Sequence, residues 1–415
     1  MTNDHAIKLS FYGDDFTGST DALEALTLGG MPAALFTQPP TPEQLAHEFP
    51  QVRAVGVAGT SRAMTPTQMD ETLPAVFTAL RDLDAPLCHY KVCSTFDSSP
   101  TIGSIGRALE IGLRVFAPRV VPIVVGTPML RRFVAFGNLF ATVGAADGSA
   151  TTYRIDRHPM MAHHPVTPMH ESDLRRHLAQ QTNTSIGLID LLDLTQPDDE
   201  IDTTIARRVR AGQRALLFDT IDHQHLHKVG RLLQRQMTVG PLFAIGSSGV
   251  ESALTAAWQT SGMIDKPAPL SPPPPVDQIV VMAGSASAAT AEQIDWAERQ
   301  GFATICLDAA ALTDATTGPA AEERYCQEAL QQLAQGQSVQ LYSTRGPLSP
   351  LERTDGEALG KAQGRVLHRI LDASKVRRIC VAGGDTCGRV VQQLEITAMT
   401  VAAPLAPGAP LCRAH

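Results

Sequence analysis

The sequence lacks the features that mark membrane proteins and nucleic-acid-binding proteins. No apolar run approaches the roughly 18 residues needed to span a bilayer, and no basic segment followed by an apolar stretch stands at the amino terminus. The net charge is -8, which argues against nucleic acid as a partner. We therefore expect a cytoplasmic protein that binds neither membranes nor nucleic acid.

Two further patterns are missing. The seven cysteines are scattered without the paired spacing of a disulfide framework or a zinc site, so reduced thiols are expected. No glycine-rich loop carries the lysine of a Walker motif, and no strand is followed by the three spaced glycines of a dinucleotide site. The last absence argues against an NAD-dependent enzyme.

The chain does contain alternating apolar strands and amphipathic helices. At 415 residues, with 43% hydrophobic and 18% charged residues, it is long enough for two globular domains. The β-α-β order predicts an α/β fold in which each domain has a mostly parallel sheet flanked by helices. The proline-rich segment 266–276 suits neither a helix nor a central strand, so we predict domains 1–265 and 277–415 joined by this linker.

The most informative motif is GDDFTGSTD at residues 13–21, which places three carboxylates beside turn-forming residues directly after an apolar strand. Helix formers from Thr20 onward predict a helix with Ser19, Thr20 or Asp21 as its N-cap. A strand, a loop and a helix start form the usual place for small-ligand chemistry in α/β proteins. An Asp-rich turn that only caps a helix has the same spacing, so the pattern alone leaves both interpretations open.

Two glycine-rich turns follow strands in the predicted second domain. GSAS at 284–287 opens a helix, and its backbone N–H groups and hydroxyls suit contacts with an anion. GGDT at 383–386 has the order of a phosphate-binding turn after a strand. Either turn, taken alone, could also be a tight packing turn without a ligand.

Over nearly its whole length the sequence resembles the four-carbon acid sugar kinase family, the ATP-dependent kinases of tetronates and related sugar acids. The resemblance rests on the motif at 13–21, the two glycine-rich turns, the Lys91 and Ser94 pair of a Lys-x-Asp-Ser-Thr segment, and the Pro-Gly-x-Pro segment at 407–410. It implies a sugar acid bound by the first domain, ATP and Mg²⁺ bound by the second, and an active site in the cleft between them.

The resemblance also implies site residues. Catalysis is expected of Asp14, Asp15 and Lys91, and which aspartate accepts the proton of the attacked hydroxyl stays open. Arg62 follows a strand and could be an ordinary surface residue, but a guanidinium suits bidentate binding of a carboxylate. The expected substrate contacts are Asp14, Thr17, Arg62, Lys91, Ser94 and Asp97. The expected ATP contacts are Ser285, Ser287, Gly383, Gly384, Asp385, Thr386 and Gly408, with Asp385 alternatively ligating Mg²⁺ through water.

The chain departs from the family pattern in the loop after Lys91. Cys93 stands where the common tetronate kinases have Asp, and residues 96–99, FDSS, replace Leu-Arg-Gly-Asn. Exchanging an acid and an arginine for Asp97 changes which substrate groups can be paired, and unpaired buried polar groups penalise the wrong substrate. We expect a divergent substrate, such as a 3-oxo or branched sugar acid; a rearranged loop around the same substrate is the alternative.

Two other segments resemble family loops. Residues 131–153 resemble the lobe that closes over the substrate, and residues 164–173 resemble an inter-strand loop. In that loop Ser172 or Glu171 is expected to cap the next helix, and His164 or Thr167 to contact the substrate.

Three questions stay open at the level of sequence. Family members continue past the Pro-Gly-x-Pro segment with a Lys-Gly-Gly or Lys-Ser-Gly loop, whereas this sequence stops at His415, so it is either truncated or completes its nucleotide site differently. A non-catalytic sugar-acid or nucleotide sensor on the same fold is the alternative function. The oligomeric state is not encoded in any pattern, and a homo-oligomer is compatible with the sequence.

Overall fold

The computed structural model of the chain describes residues 6–144, 149–164, 166–271, 273–346 and 355–415, and only the backbone of residue 385. The chain divides into two compact units: Met1–Ser271 together with Ala398–Ala414, and Pro272–Thr397 together with His415. The border after Ser271 falls within the segment predicted as a linker. Within the described ranges, no helix combines the length and the apolar character required to cross a membrane.

The first unit is built on one ten-stranded sheet with helices against it, and its strands run parallel except at one edge. Its elements up to the last parallel strand are β1 (Leu9–Gly13), α1 (Phe16–Leu28), β2 (Ala33–Phe36), α2 (Pro42–Glu48), β3 (Ala54–Ala58), α3 (Pro66–Arg81), β4 (Leu87–Lys91), α4 (Ile105–Phe116), β5 (Val121–Val124), β6 (Arg132–Ala135), β7 (Asn138–Gly144), β8 (Ala150–Arg154), α5 (Leu174–Leu178), β9 (Ile186–Ile189), α6 (Asp198–Arg210), β10 (Ala215–Phe218), α7 (His223–Met237), β11 (Leu242–Gly246) and α8 (Gly249–Thr260). The central strands are buried throughout, as expected for a parallel sheet covered on both faces.

The strand order explains why distant polar residues meet. β1 lies between β3 and β4, and Gly13 at its end is in register with Ala58 on one side and Lys91 on the other. The loops that leave these three strands therefore emerge side by side at one edge of the sheet. This confirms the predicted parallel arrangement.

Helix α1 begins earlier than predicted, at Phe16 rather than near Thr20. Its N-cap is Asp15, whose Oδ1 accepts a hydrogen bond of 2.6 Å from the Gly18 N–H. The predicted N-caps were therefore wrong. The carboxylate satisfies a free N–H of the first turn, and the burial of Phe16 supports a helical turn that weak local propensity does not predict.

The predicted lobe contains a three-stranded antiparallel sheet, β6-β7-β8, which the sequence analysis did not identify as strands. Backbone hydrogen bonds between Thr127 and Arg132 join it to the exit of β5. The helix that follows, α5, is capped by Asp173, whose carboxylate accepts from the Arg175 N–H. The expected caps at the two preceding positions were wrong by one or two residues.

The second unit has a parallel four-stranded sheet in the order β13-β14-β12-β15, with helices around it. Its elements are β12 (Val280–Ala283), α9 (Ala288–Arg299), β13 (Ala303–Cys306), α10 (Ala309–Thr313), α11 (Gly318–Ala334), β14 (Val339–Tyr342), α12 (Gly356–Asp372), β15 (Ile379–Ala382) and α13 (Gly384–Gln393). The α/β class predicted for this part of the chain is confirmed.

A final antiparallel hairpin, β16 (Ala398–Ala406) and β17 (Ala409–Ala414), belongs to the first unit. The sequence analysis assigned these residues to the second domain, whereas β16 pairs with the edge strand β2, with Met399 opposite Leu35. The hairpin thereby covers the exposed edge of the large sheet. This long-range pairing has no local signal in the sequence.

Candidate active site

Asp14 lies at the centre of the site, directly after β1. Its N–H donates to the carbonyl of Lys91 over 2.8 Å, and its carbonyl accepts from the Arg62 N–H over 3.0 Å, which ties it to both neighbouring loops. Its carboxyl group is buried, and Oδ1 has no hydrogen-bond partner among the described residues. Burial, followed by the charge of Asp15, raises the pKa of Asp14 to about 8. A carboxylate in this condition has a strong tendency to take up a proton.

Arg62 bridges two carboxylates. Its Nη1 lies 3.0 Å from Asp15 Oδ2, and its Nη2 pairs with Asp97 Oδ2. Asp97 is buried, and its other oxygen accepts a hydrogen bond from the Thr95 hydroxyl. Burial acts to raise the pKa of Asp97, but Arg62 and then Thr95 lower it below its ordinary value. Asp97 is therefore an ionised acid held in the wall of the site.

Lys91 ends β4 with a fully buried side chain. Its Nζ lies 3.3 Å from Asp21 Oδ2 and donates to the carbonyl of Val92 over 3.0 Å. Burial acts to lower the pKa of Lys91, but the charge of Asp21 raises it above the ordinary value. Gly18 makes room for this arrangement, because a Cβ there would lie 2.5 Å from Asp15 Oδ1 and 3.1 Å from Lys91 Nζ.

The structure brings the other predicted substrate contacts to the same strand ends. Thr17 is exposed in the first turn of α1, and Ser94 is buried in the turn after β4. Cys93 is half-buried beside them; burial raises the pKa of its thiol, and the charge of Arg62 opposes that shift. The cysteine is thus a neutral group at a position where the family pattern has an acid.

The predicted inter-strand loop also reaches the site. The Thr167 hydroxyl is buried, lies 3.4 Å from Asp97 Oδ2 and lies 3.1 Å from His164 Nδ1. Thr167 therefore joins the group of hydroxyl and carboxylate side chains around Arg62.

Sequence reasoning missed two residues of this site. Asp21 was counted among the three carboxylates of the motif and as a possible helix cap but was given no contact, although a carboxylate in the second turn of α1 can reach the strand end beneath the helix. Arg132, at the start of β6, was given no role. Its Nε is buried and has no acceptor in the described part of the chain. Cys93 is close enough for a charge on its sulfur to raise the pKa of the Arg132 guanidinium. No motif marks Arg132, because its position depends on the antiparallel sheet.

The two glycine-rich turns of the second unit lie side by side, because β12 and β15 are adjacent and parallel. Gly383 has φ +120°, and a Cβ on it would lie 3.3 Å from the Ser285 N. A Cβ on Gly284 would lie 2.2 Å from Thr386 Oγ1. The bare backbone at the N-termini of α9 and α13 can accommodate a phosphate group, so these residues fit the nucleotide implied by the resemblance.

Other predicted nucleotide contacts have different surroundings. Ser287 caps α9, its hydroxyl accepting from the Thr290 N–H over 3.1 Å. The side chain of Asp385 lies outside the described residues.

No group of three His, Cys, Asp or Glu side chains in the described ranges is arranged to hold a metal ion. Magnesium commonly takes only one or two carboxylates and keeps several waters, so Mg²⁺ brought by a nucleotide requires no such cluster.

Gly408 belongs to the first unit, whereas the two glycine-rich turns belong to the second. It occupies the tip of the β16-β17 hairpin in the first unit, with φ +79°, and its N–H donates to Glu24 Oε2 over 2.7 Å. It lines a cavity of about 580 Å³ together with residues of α1 and α8. The structure thus gathers Ser285, Ser287, Gly383, Gly384 and Thr386 in one unit and places Gly408 in the other.

Comparison with known proteins also divides the chain into an N-terminal and a C-terminal part, but it assigns the final hairpin to the C-terminal part, as the sequence analysis did. Residues 9–254 match the model of a sugar-binding N-terminal domain, and residues 280–415 match that of a nucleotide-binding C-terminal domain. The 3-oxo-isoapionate kinase of Paraburkholderia graminis is 46% identical over 424 residues, covering 98% of this chain and 87% of that protein. The 3-oxo-tetronate kinase of Methylobacterium radiotolerans is 30% identical, covering 98% of this chain and 92% of that protein.

Solved structures resemble the chain over almost its full length. One, from Salmonella typhimurium LT2 and described as a tRNA synthase, has a TM-score of 0.76 and 25% identity and covers 99% of this chain and 93% of that one. Haemophilus influenzae protein HI1011 has a TM-score of 0.69 and 22% identity and covers 98% of this chain and 93% of that one. These likenesses support the fold described above.

Proposed function

Because the chain belongs to the four-carbon acid sugar kinase family, we propose that it transfers the γ-phosphoryl group of ATP to a terminal hydroxyl of a small sugar acid. The proposed substrate is 3-oxo-isoapionate, ahead of a four-carbon acid such as threonate, erythronate or 3-oxo-tetronate. The support is the 46% identity to a 3-oxo-isoapionate kinase, against 27% to 30% for 3-oxo-tetronate kinases. The departures at Cys93 and Asp97 point in the same direction.

Asp14 is proposed as the base that accepts the proton of the attacked hydroxyl. The observation that carries this assignment is its buried Oδ1, which lacks a partner in the described part of the chain, on a carboxyl group whose pKa is about 8. A general base works best when its pKa is near the pH of the reaction. Asp15 is the weaker candidate, because one of its oxygens caps α1 and the other pairs with Arg62.

The neighbouring side chains are proposed to position the sugar acid. Arg62 and Lys91 would contact its oxygen atoms and stabilise charge on the transferred phosphoryl group. Thr17 and Ser94 offer hydroxyls at the same strand ends. Asp97, kept ionised by Arg62, would accept a hydrogen bond from a substrate hydroxyl. Phosphoryl transfer depends mainly on such positioning and charge neutralisation.

The nucleotide is proposed to bind through the second unit. The backbone at Ser285, Gly383, Gly384 and Thr386 would hold its phosphates, with Ser287 and Asp385 nearby in the chain. Mg²⁺ bound with ATP would neutralise phosphate charge. Gly408 is proposed to contribute from the hairpin of the first unit. ATP as the phosphoryl donor also leads us to propose a cytoplasmic reaction.

The proposal is tested by ADP release with ATP and Mg²⁺ against D- and L-threonate, D- and L-erythronate, their 3-oxo forms and 3-oxo-isoapionate. We expect the highest kcat/KM with 3-oxo-isoapionate, and a kcat about 10²- to 10⁴-fold lower for the D14N variant. Thermal shift with the same ligands separates the alternative, a sensor, because a specific ligand stabilises the folded state by an amount that grows with the logarithm of its concentration over Kd. Ligand binding without ADP release by the wild type would contradict the kinase proposal.

A further inference from the structure

Arg132 is held firmly at the edge of the sheet that carries the site. Its backbone N–H donates to the Thr127 carbonyl over 3.2 Å, and the Thr127 N–H donates back to the Arg132 carbonyl over 2.9 Å. Thr127 follows β5, whose carboxyl end lies at the same sheet edge as that of β4, with only β11 between them. Strand β6 therefore starts at the edge where Asp14 and Lys91 emerge.

The guanidinium of Arg132 is hydrogen-bonded through Nη1, whereas its Nε has no hydrogen-bond acceptor among the described residues. Its Nη1 donates to the carbonyls of Leu130 and Arg131, over 2.9 Å and 3.2 Å. Its Nε is buried and has no acceptor among the described residues. A buried donor on a charged group costs free energy unless a partner satisfies it. The edge formed by Nε and Nη2 has the geometry that binds a carboxylate with two parallel hydrogen bonds.

The other two cations of the site already have acidic partners. Arg62 contacts both Asp15 and Asp97, and Lys91 contacts Asp21. The pKa of Arg132, by contrast, is lowered by burial, and among the described residues the charge that opposes this shift is that of Cys93 in its thiolate form. Since burial raises the pKa of that thiol, Cys93 does not supply a negative partner at neutral pH. Of these three cations, Arg132 is therefore the one that can offer an anionic substrate a hydrogen-bond donor, its Nε, that has no acceptor among the described residues.

We propose that Arg132 binds the carboxylate of the sugar acid and so makes the site specific for acids over neutral sugars. The inference rests on the proposed function, because it names the residue that recognises the acidic group of that substrate. Arg62 and Lys91 are then left to contact the hydroxyl end and the transferred phosphoryl group. Arg132 is a binding residue in this scheme and takes no part in proton transfer.

The experiment compares kcat and KM of the full chain for 3-oxo-isoapionate and for its neutral primary amide. For R132Q we expect KM for the acid to rise about tenfold to a hundredfold, the range of a charge-assisted hydrogen bond, with kcat changed less than about threefold. KM for the amide should stay the same. R132K, which keeps the charge but loses the planar pair of donors, should fall between R132Q and the wild type.

R119Q is the matched control, because it removes the same charge from an exposed arginine outside the lobe; its KM for the acid should equal that of the wild type. An unchanged KM for the acid in R132Q, or an equal rise for acid and amide, would overturn the assignment. If R132Q does not fold, wild-type protein and R132K decide: equal wild-type KM values for acid and amide would overturn it. Failure of the wild type to bind or phosphorylate any acid would instead contradict the proposed function.

Discussion

Asp15 and Arg62 form an ion pair in which Asp15 Oδ2 lies 3.0 Å from Arg62 Nη1, while Asp15 Oδ1 caps helix α1. One carboxylate thus joins the start of the helix to the loop after β3. Its neighbour Asp14 makes no comparable contact through Oδ1 within the described ranges. Adjacent acids therefore have different tasks: Asp15 organises the site, and Asp14 remains available for chemistry.

The two aspartates should respond differently to substitution by asparagine. In D14N the base is removed without a change of shape, so kcat should fall about 10²- to 10⁴-fold while ATP binding is retained. In D15N the cap is preserved, because Asn is also a good N-cap, and the loss of activity should be smaller. Steady-state kinetics and nucleotide binding measure both effects. An inactive D15N beside a fully active D14N would assign the base to Asp15.

The pH dependence of activity should report Asp14. The base acts only when ionised, so kcat/KM should rise with pH through about 8 and level off above it. The D14N variant, measured over the same range, should lose this rise in its residual activity. A wild-type profile that is flat between pH 6 and 9 would contradict the assignment.

Stability should change with pH in the opposite direction. The folded-state pKa of Asp14 is about 8, whereas an unfolded aspartate titrates near 4, so the folded protein binds more protons between these values. The contribution of Asp14 to the free energy of unfolding therefore falls as pH rises from about 4 to about 8. Urea unfolding should show D14N gaining stability relative to the wild type from pH 6 to pH 9. A constant difference between them would show that the Asp14 pKa is unperturbed.

The glycine turn after β15 should be required for nucleotide binding. In G383A an alanine has to adopt a φ of +120°, and its Cβ lies 3.3 Å from the Ser285 N. Because this Cβ would close the space for phosphate, we expect KM for ATP to rise about tenfold or more. G301A is the matched control: its φ is +87°, but no atom lies within 4 Å of its Cβ. Both variants should lose some stability, and only G383A should lose affinity for ATP. Equal ATP kinetics in the two variants would exclude the turn from the nucleotide site.

The strand ends could be predicted from sequence because local patterns encode them. Short apolar runs followed by polar residues predicted β1, β3 and β4, and parallel topology brought Asp14, Arg62 and Lys91 together. The position of Arg132 could not be predicted, because it depends on an antiparallel insertion whose strands carry no strong periodicity. The pairing of the last hairpin with β2 was missed for a related reason: the partner strand is distant in sequence, and no local propensity encodes the contact.

The capping of α1 illustrates a different limit of sequence reasoning. Residues 16–19, FTGS, have weak helix propensity, so the pattern placed the helix start later. The bond from Gly18 to Asp15 and the burial of Phe16 override that propensity. Intrinsic helix propensity therefore locates a helix end least well where a functional carboxylate caps the helix.

The contact between Asp21 and Lys91 should be important for both stability and activity. Lys91 is almost fully buried, so D21N would leave a buried ammonium without its acidic partner, and the free energy of unfolding should fall by about 3 kcal/mol. The matched control is E357Q, which breaks the exposed pair of Glu357 with Lys361 in α12 and should cost less than about 0.5 kcal/mol. Urea unfolding measures both variants. At a temperature where D21N remains folded, kcat should also be lower, because the lysine is no longer held beside Asp14. Similar small losses in D21N and E357Q would mean that the buried pair contributes no more than a surface pair.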